Sequence, residues 1–411
     1  MIWGMIKTLG IHSVNKVIHA FTLMLKPGDQ SIEPPPIAPD REIKWRMLAR
    51  VIVKAVVLFL VLNVLFAACR PLDTLGNISL YNAVFPGRER LPYGEVPAED
   101  FNLTVNNLNT MFATHVVDQP KAADEFRVVL IGDSGTWGWF LENEDTLAGQ
   151  LNARGLRASD GRRIVIYNVA YPVMSLTKDL LLMDAALERT QADLIIWPVT
   201  LQSFARDRQL EHPLLHESAW RARALIERYN LGLDRDDPRF TDRSFLQETM
   251  VGRRRDLADW LKLQAWGLAW AASRQDQAVP DEIALRRSDF EADESWLDIP
   301  EERPLKENDL AFDVLFAGVE HAGAIPIAIV NEPIFVSSGI NSDVRYNAFY
   351  PRWAYDQYRQ MLSRAAATGS WTYFDLWDAI PPEEFTDTPV HLTPNGTRMV
   401  ADQLEEFLRR Q

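Results

Sequence analysis

The stretch FRVVLIGDSGTWGW, residues 126–139, runs from apolar, mostly β-branched residues straight into Gly-Asp-Ser-Gly. Val128, Val129, Leu130 and Ile131 form a run too short for a helix, which reads as a fully buried strand of a parallel sheet. The turn that follows then lies at the sheet's carboxyl edge, where open α/β sheets bind their ligands. Glycines at 132, 135 and 138 allow tight turning and close backbone approach there, which puts Ser134 at the mouth of a pocket. The plainer reading is a strand-to-helix turn in which Asp133 or Ser134 caps the next helix.

Downstream, strand-like and helix-like segments alternate: TLAGQLNARGL, RIVIYNVA, SLTKDLLLMDAALE, ADLIIWPVT and, after a gap, DVLFAGVEHAG, IPIAIVNEP, YDQYRQMLSRAAA and WTYFDLW. This alternation predicts an α/β domain over 126–411, three-layered α/β/α with a central parallel sheet. The gap, at about 204–310, is charged and predicted to be a largely helical insertion. In it Trp260, Leu263, Trp266 and Trp270 have the spacing of a buried helix face. Residues 70–125, rich in Pro and Gly, read as an irregular stalk leading into the domain.

Charge and hydropathy divide the chain further. Its formal charge is −14, with no long basic patch, which excludes a nucleic-acid partner. Residues 1–70 nevertheless balance at +5, leaving −19 for the remainder. Between these regimes lies MLARVIVKAVVLFLVLNVLFAAC, residues 47–69, long enough to cross a membrane as a helix. Arg50 and Lys54 lie near its start, and most nearby positive charge precedes it, which orients residues 1–46 to the cytoplasm and the large domain outside. Those first residues read as an amphipathic segment on the inner leaflet, or packed on a partner, followed by a linker with prolines at 34–36 and 39. The single cysteine, Cys69, rules out an intrachain disulfide, and the FAAC that it closes leaves lipidation as a rival reading.

A serine nucleophile needs a base, an acid that orients the base, and donors aimed at the oxyanion. Of seven histidines only His391 has a site context, in FTDTPVHLTPNGTRMVADQLEEFL, just ahead of an amphipathic final helix and four residues after Asp387. IGDSGTWG at 131–138 and DTPVHLTPNG at 387–396 together resemble the nucleophile and carboxy-terminal blocks of the SGNH (GDSL-type) hydrolase superfamily. The resemblance covers about 126–408 and implies a flavodoxin-like fold with Ser134 as nucleophile, His391 as base and Asp387 as orienting acid. The family places that acid three residues before the histidine, where Thr388 stands here, so Asp375 and Asp378 remain as other candidates. For the oxyanion the resemblance implies main-chain donors at Ser134 and Ala170 and the Gln202 amide where the family has asparagine.

The segment 331–353 gathers hydrogen-bonding side chains beside aromatics: Asn331, Glu332, Asn341, Asp343, Arg345, Tyr346 and Arg352; of these Asn331, Asn341, Arg345, Tyr346 and Arg352, with Asp133 added, are the candidate substrate contacts. The bland alternative is a surface loop. No metal-binding or phosphate-loop spacing is present, and no cofactor is expected. Membrane-anchored members of the superfamily esterify cell-wall or exported polymers with acyl groups supplied by a membrane-bound O-acyltransferase. That resemblance implies acyl transfer, or ester hydrolysis, on a surface polymer of carbohydrate type by a single-pass cell-membrane protein. The alternatives are a catalytically degenerate binding or assembly module and a lipase or thioesterase.

Overall fold

The computed structural model describes residues 45–80, 82–85, 87–94, 101–274 and 276–411. The amphipathic segment and Pro-rich linker expected before residue 45 lie outside the described residues. The chain divides into two units, Met1–Val61 and Leu62–Gln411. Helix α1, Trp45–Cys69, starts two residues before the expected span. Its length and composition suffice to cross a membrane.

The larger unit is built on one parallel sheet. Strands β1 (Glu125–Leu130), β2 (Arg163–Asn168), β3 (Leu194–Val199), β4 (Ile327–Asn331) and β5 (Thr372–Asp375) lie in the order β2-β1-β3-β4-β5. All five fall on segments that the alternation predicts. Successive side chains point to opposite faces of a strand, so the same strands feed two cores. On one face Val128, Leu130, Ile164, Ile196 and Val330 pack with Leu151 of helix α2 (Leu147–Ala153) and Leu404 of α3 (Pro394–Arg409). On the other, Val129, Ile131, Ile195, Trp197 and Ile329 meet α4 (Leu176–Arg189), α5 (Phe312–Ala322) and α6 (Arg352–Thr368). Truncating a fully buried leucine such as Leu404 to alanine would cost about 2–5 kcal/mol. Gly318 of α5 is needed for the layer contact, because a Cβ there would sit 2.3 Å from the Trp197 ring.

Two expectations need correction. The described residues of 70–125 are not a stalk. Leu91, Met111, Phe112 and Val117 are fully buried in the α4-side core, and Leu108–Thr114 forms a helix capped by Asn107. Prolines and glycines around these residues conceal their apolar spacing. The insertion, in turn, is helical only in part: Ala219–Arg228 and Arg254–Ser273 are helices, whereas 276–306 runs mostly as irregular chain. In the Arg254–Ser273 helix, Leu263 and Trp270 are buried as their spacing predicts, while Trp260 and Trp266 are only half-buried.

Candidate active site

Strand β1 delivers the nucleophile turn. At its end Asp133 accepts the Gly135 N–H at 2.8 Å and caps a single helical turn, Ser134–Trp137. The capping reading and the nucleophile reading therefore both hold, on adjacent residues. Gly138 closes the turn at φ 96°, and a Cβ there would lie 2.5 Å from Thr146, so only glycine serves.

The turn is held from four directions. Asn168, at the end of β2, donates to the Thr136 and Trp137 carbonyls at 3.1 and 3.2 Å. Buried Lys178 reaches the Gly132 carbonyl at 2.8 Å from the first turn of α4 and is ion-paired to Asp179. Arg90 donates to the Gly138 carbonyl at 2.8 Å while paired with buried Asp276, and Gln277 donates to the same carbonyl at 2.8 Å. Lys178, Arg90 and Gln277 escape sequence reasoning because they lie far from the motif and in no periodic pattern. Both regions set aside as stalk and insertion thus buttress the nucleophile.

The base arrives from the other end of the chain. Ser134 Oγ and His391 Nε2 are 2.9 Å apart, and His391 Nδ1 lies 2.9 Å from Asp387 Oδ1. The displaced acid therefore reaches the histidine. Thr388, standing where the family has its acid, accepts the His391 N–H at 3.2 Å through Oγ1 and tightens the loop. The Thr386 N–H donates to the His391 carbonyl at 2.9 Å and closes that loop from its other side. Burial opposes ionisation of Asp387, but the hydrogen bond and charge of His391 outweigh it and hold the carboxyl below its ordinary range. Trp139 stacks on the imidazole with centroids 5.6 Å apart and fixes its plane. The other acids are placed elsewhere: Asp375 binds Asn331 and Arg359, and Asp378 is exposed on the turn after β5.

Two further histidines are structural. His115 and His212 are buried and accept backbone N–H groups through Nδ1, and desolvation lowers their pKa to about 4 and about 3. His391 instead faces a hydroxyl.

The oxyanion donors are only partly as expected. The Ala170 N–H donates to the Asn168 side chain at 3.2 Å, so it is turned inward. Gln202 lies half-buried on the turn Leu201–Phe204 after β3, at the same sheet edge, and its side-chain amide meets no protein partner among the described residues. A helix's first-turn N–H groups lack intrahelical acceptors, and here that of Gly135 is taken by Asp133, which leaves Ser134's own as the main-chain candidate.

Most of the polar residues singled out in 331–353 are hydrogen-bonded within the protein. Asn331 donates to Asp375 at 2.8 Å and accepts from Tyr358 at 3.1 Å. Asn341 donates to the Phe290 carbonyl, and Arg345 to the carbonyls of Asp293, Ser295, Asn347 and Ala348. Tyr346 donates to Asp356, and Arg352 to the Ser342 carbonyl while covering the Tyr346 ring. Asp133 is buried as the helix cap.

Behind that cap lies Glu332, next after β4. It is buried and accepts the Thr136 hydroxyl at 3.0 Å. Burial, reinforced by the negative charge of Asp133, raises its pKa well above its ordinary value of 4.5. Among the described residues no group of three or more His, Cys, Asp or Glu is placed to hold a metal.

No family model matches the sequence, and no curated protein matches it. Solved structures similar to this chain include a member of the lipolytic protein G-D-S-L family from Veillonella parvula DSM 2008, 10% identical over 69% of this chain and 99% of that one, with a TM-score of 0.33. A carbohydrate acetylesterase family member from Sinorhizobium meliloti is 14% identical over 69% and 97%, TM-score 0.30. The M. smegmatis aryl esterase is 12% identical over 69% and 98%, TM-score 0.30. Similarity at this level carries no argument, and fold and site stand on their own geometry.

Proposed function

We propose that this chain is a membrane-anchored serine esterase of SGNH type. It works outside the cytoplasm as an O-acyltransferase or ester hydrolase on a cell-surface or exported polymer, with carbohydrate hydroxyls as the acceptor class. The observation that carries this reading is the continuous line from Ser134 Oγ through His391 to Asp387, 2.9 Å at each step.

The chemistry follows from that line. His391 Nε2 takes the Ser134 proton as Oγ attacks the acyl carbonyl, and the Ser134 N–H and the Gln202 amide stabilise the oxyanion. When the intermediate collapses the ester C–O bond breaks, and the leaving alkoxide takes the proton from His391. An acceptor hydroxyl, or water, then gives its proton to His391 and attacks acyl-Ser134; the acyl C–Oγ bond breaks as His391 returns that proton to Oγ, which restores the serine. Asp387 keeps the imidazole in the required tautomer and stabilises its charged form.

A degenerate binding module would have no need of an aligned serine and histidine, and their hydrogen bond weighs against it. A lipase would favour a wide apolar channel at the serine. One cavity of about 850 Å³ bordered by Phe312, Phe316 and Met361 includes none of the three catalytic candidates. A membrane-bound O-acyltransferase as acyl supplier, which the resemblance to membrane-anchored members of the superfamily implies, is part of the proposal. The full-length protein, given p-nitrophenyl acetate and fragments of an exported polysaccharide, should yield acetylated fragments or free acetate, and Ser134→Ala should yield neither. Equal turnover by the variant would contradict the proposal.

A further inference from the structure

The outer end of α1 is packed on one face, beside a segment rich in apolar side chains. Asn63, Phe66 and Ala67, on one face of its last two turns, are shielded, and the Val251 N–H donates to Asn63 Oδ1 at 3.2 Å. Asn63 is six residues before the helix end at Cys69, about 9 Å along the axis at ~1.5 Å per residue. If Cys69 marks the outer boundary of the span, the 244–251 segment reaches below that boundary. The segment reads SFLQETMV, and four of its side chains are exposed in an unusual way for a soluble surface: Phe245 54%, Leu246 78%, Met250 36% and Val251 47%.

The residues around it match the same depth profile. Arg254 and Arg255, exposed, follow directly. Arg70, Trp220, Arg243, Arg253 and Trp260 border one polar cavity of about 640 Å³, and arginine and tryptophan are residue types enriched where proteins meet lipid headgroups. Several of the acids nearby are ion-paired: Glu248 and Asp256 with Arg253, and Glu217 with Arg243. Val251 beside Asn63, exposed Phe245, Leu246 and Met250 in the same segment, and arginines and tryptophans around the adjacent cavity have the composition of an interfacial membrane contact.

We infer that residues 244–251 dip into the outer leaflet beside α1, with Arg254 and Arg255 at the phospholipid headgroups, so that the bilayer is the occupant of this apolar patch. The inference rests on α1 spanning the membrane, as proposed above. Its consequence is mechanical: a second attachment beside the helix fixes the height and tilt of the site over the membrane.

The test uses the full chain in lipid nanodiscs, with Cys69→Ser removing the sole cysteine. A fluorophore is placed by Leu246→Cys, by Leu58→Cys in the helix, or by Leu285→Cys, an 88% exposed site outside the patch. Nitroxide lipids labelled high or low on the acyl chain serve as quenchers. At an insertion depth of about 5–10 Å, high nitroxides should quench the Leu246 label at least ~2-fold more than the Leu285 label. Deep nitroxides should quench the Leu58 label. Quenching at Leu58 without quenching at Leu246 keeps the span and overturns the leaflet contact. A blue-shifted, unquenched Leu246 label also overturns it, in favour of a protein occupant. Failure at Leu58 removes the span and the inference with it.

Discussion

Two polar clusters reach the same edge of the sheet and behave in opposite ways. In the 331–353 loop Asn341, Arg345, Tyr346 and Arg352 direct their donors to neighbouring carbonyls and a carboxylate. In the Ser134, His391 and Asp387 line the partners are mutual and end on a half-buried hydroxyl. Both look equally rich in hydrogen-bonding residues in the sequence. What separates a site from a scaffold is valence left facing outward, and that depends on neighbours distant in the chain.

The comparison breaks most readily at the nucleophile. Ser134→Ala should lower kcat for p-nitrophenyl acetate by roughly 10⁴–10⁶-fold with the folded state intact by circular dichroism. Activity within a few-fold of wild type would assign catalysis to another residue. Asp387→Asn should cost about 10⁴-fold in kcat by favouring the wrong imidazole tautomer, whereas Asp375→Asn should leave kcat nearly unchanged; steady-state kinetics of the pair tests which acid orients His391. Gln202→Ala should cost about 100–1,000-fold in kcat if its amide serves the oxyanion, and little if Ser134's N–H acts alone.

Arg345→Ala sharpens the comparison from the scaffold side. Four carbonyls lose their donor, so chemical denaturation should show a loss of about 1–3 kcal/mol or more, while kcat of the folded fraction stays within a few-fold. A selective rise in KM with unchanged stability would return this arginine to substrate binding.

The smallest effect concerns Glu332 and is read from pH. Its folded-state pKa is raised from 4.5, so the unfolded chain ionises first and stability declines as pH climbs above about 4.5 toward the raised value. Glu332→Gln removes that decline: its Tm should exceed that of wild type at pH 7 and match it near pH 4. Asp387 works the other way, with stability lost only as pH falls below its ordinary 3.8.

Most of the fold is legible in the sequence because the strands are short runs rich in β-branched or aromatic residues and each layer helix carries its own apolar stripe, both local signals. Ser134 and His391 are legible for a similar reason, since each sits in a compact block beside a strand or helix end. Asp387 needed the structure, because whether a carboxylate four residues before a histidine can reach it depends on the turn that Thr388 and Thr386 tie. The packed role of 70–125 was hidden because its buried residues contact helices from across the chain. Ala170 illustrates a further limit: a main-chain donor's direction is invisible in sequence, and Asn168, two residues earlier, captures it.

The most direct test of the account is reaction of the full-length protein with a serine-directed fluorophosphonate, followed by intact mass and peptide mapping, beside Ser134→Ala and His391→Ala. One adduct per chain on Ser134, absent in the first variant and strongly slowed in the second, is the predicted result. An unlabelled but folded wild-type protein, or equal labelling of Ser134→Ala, would contradict it.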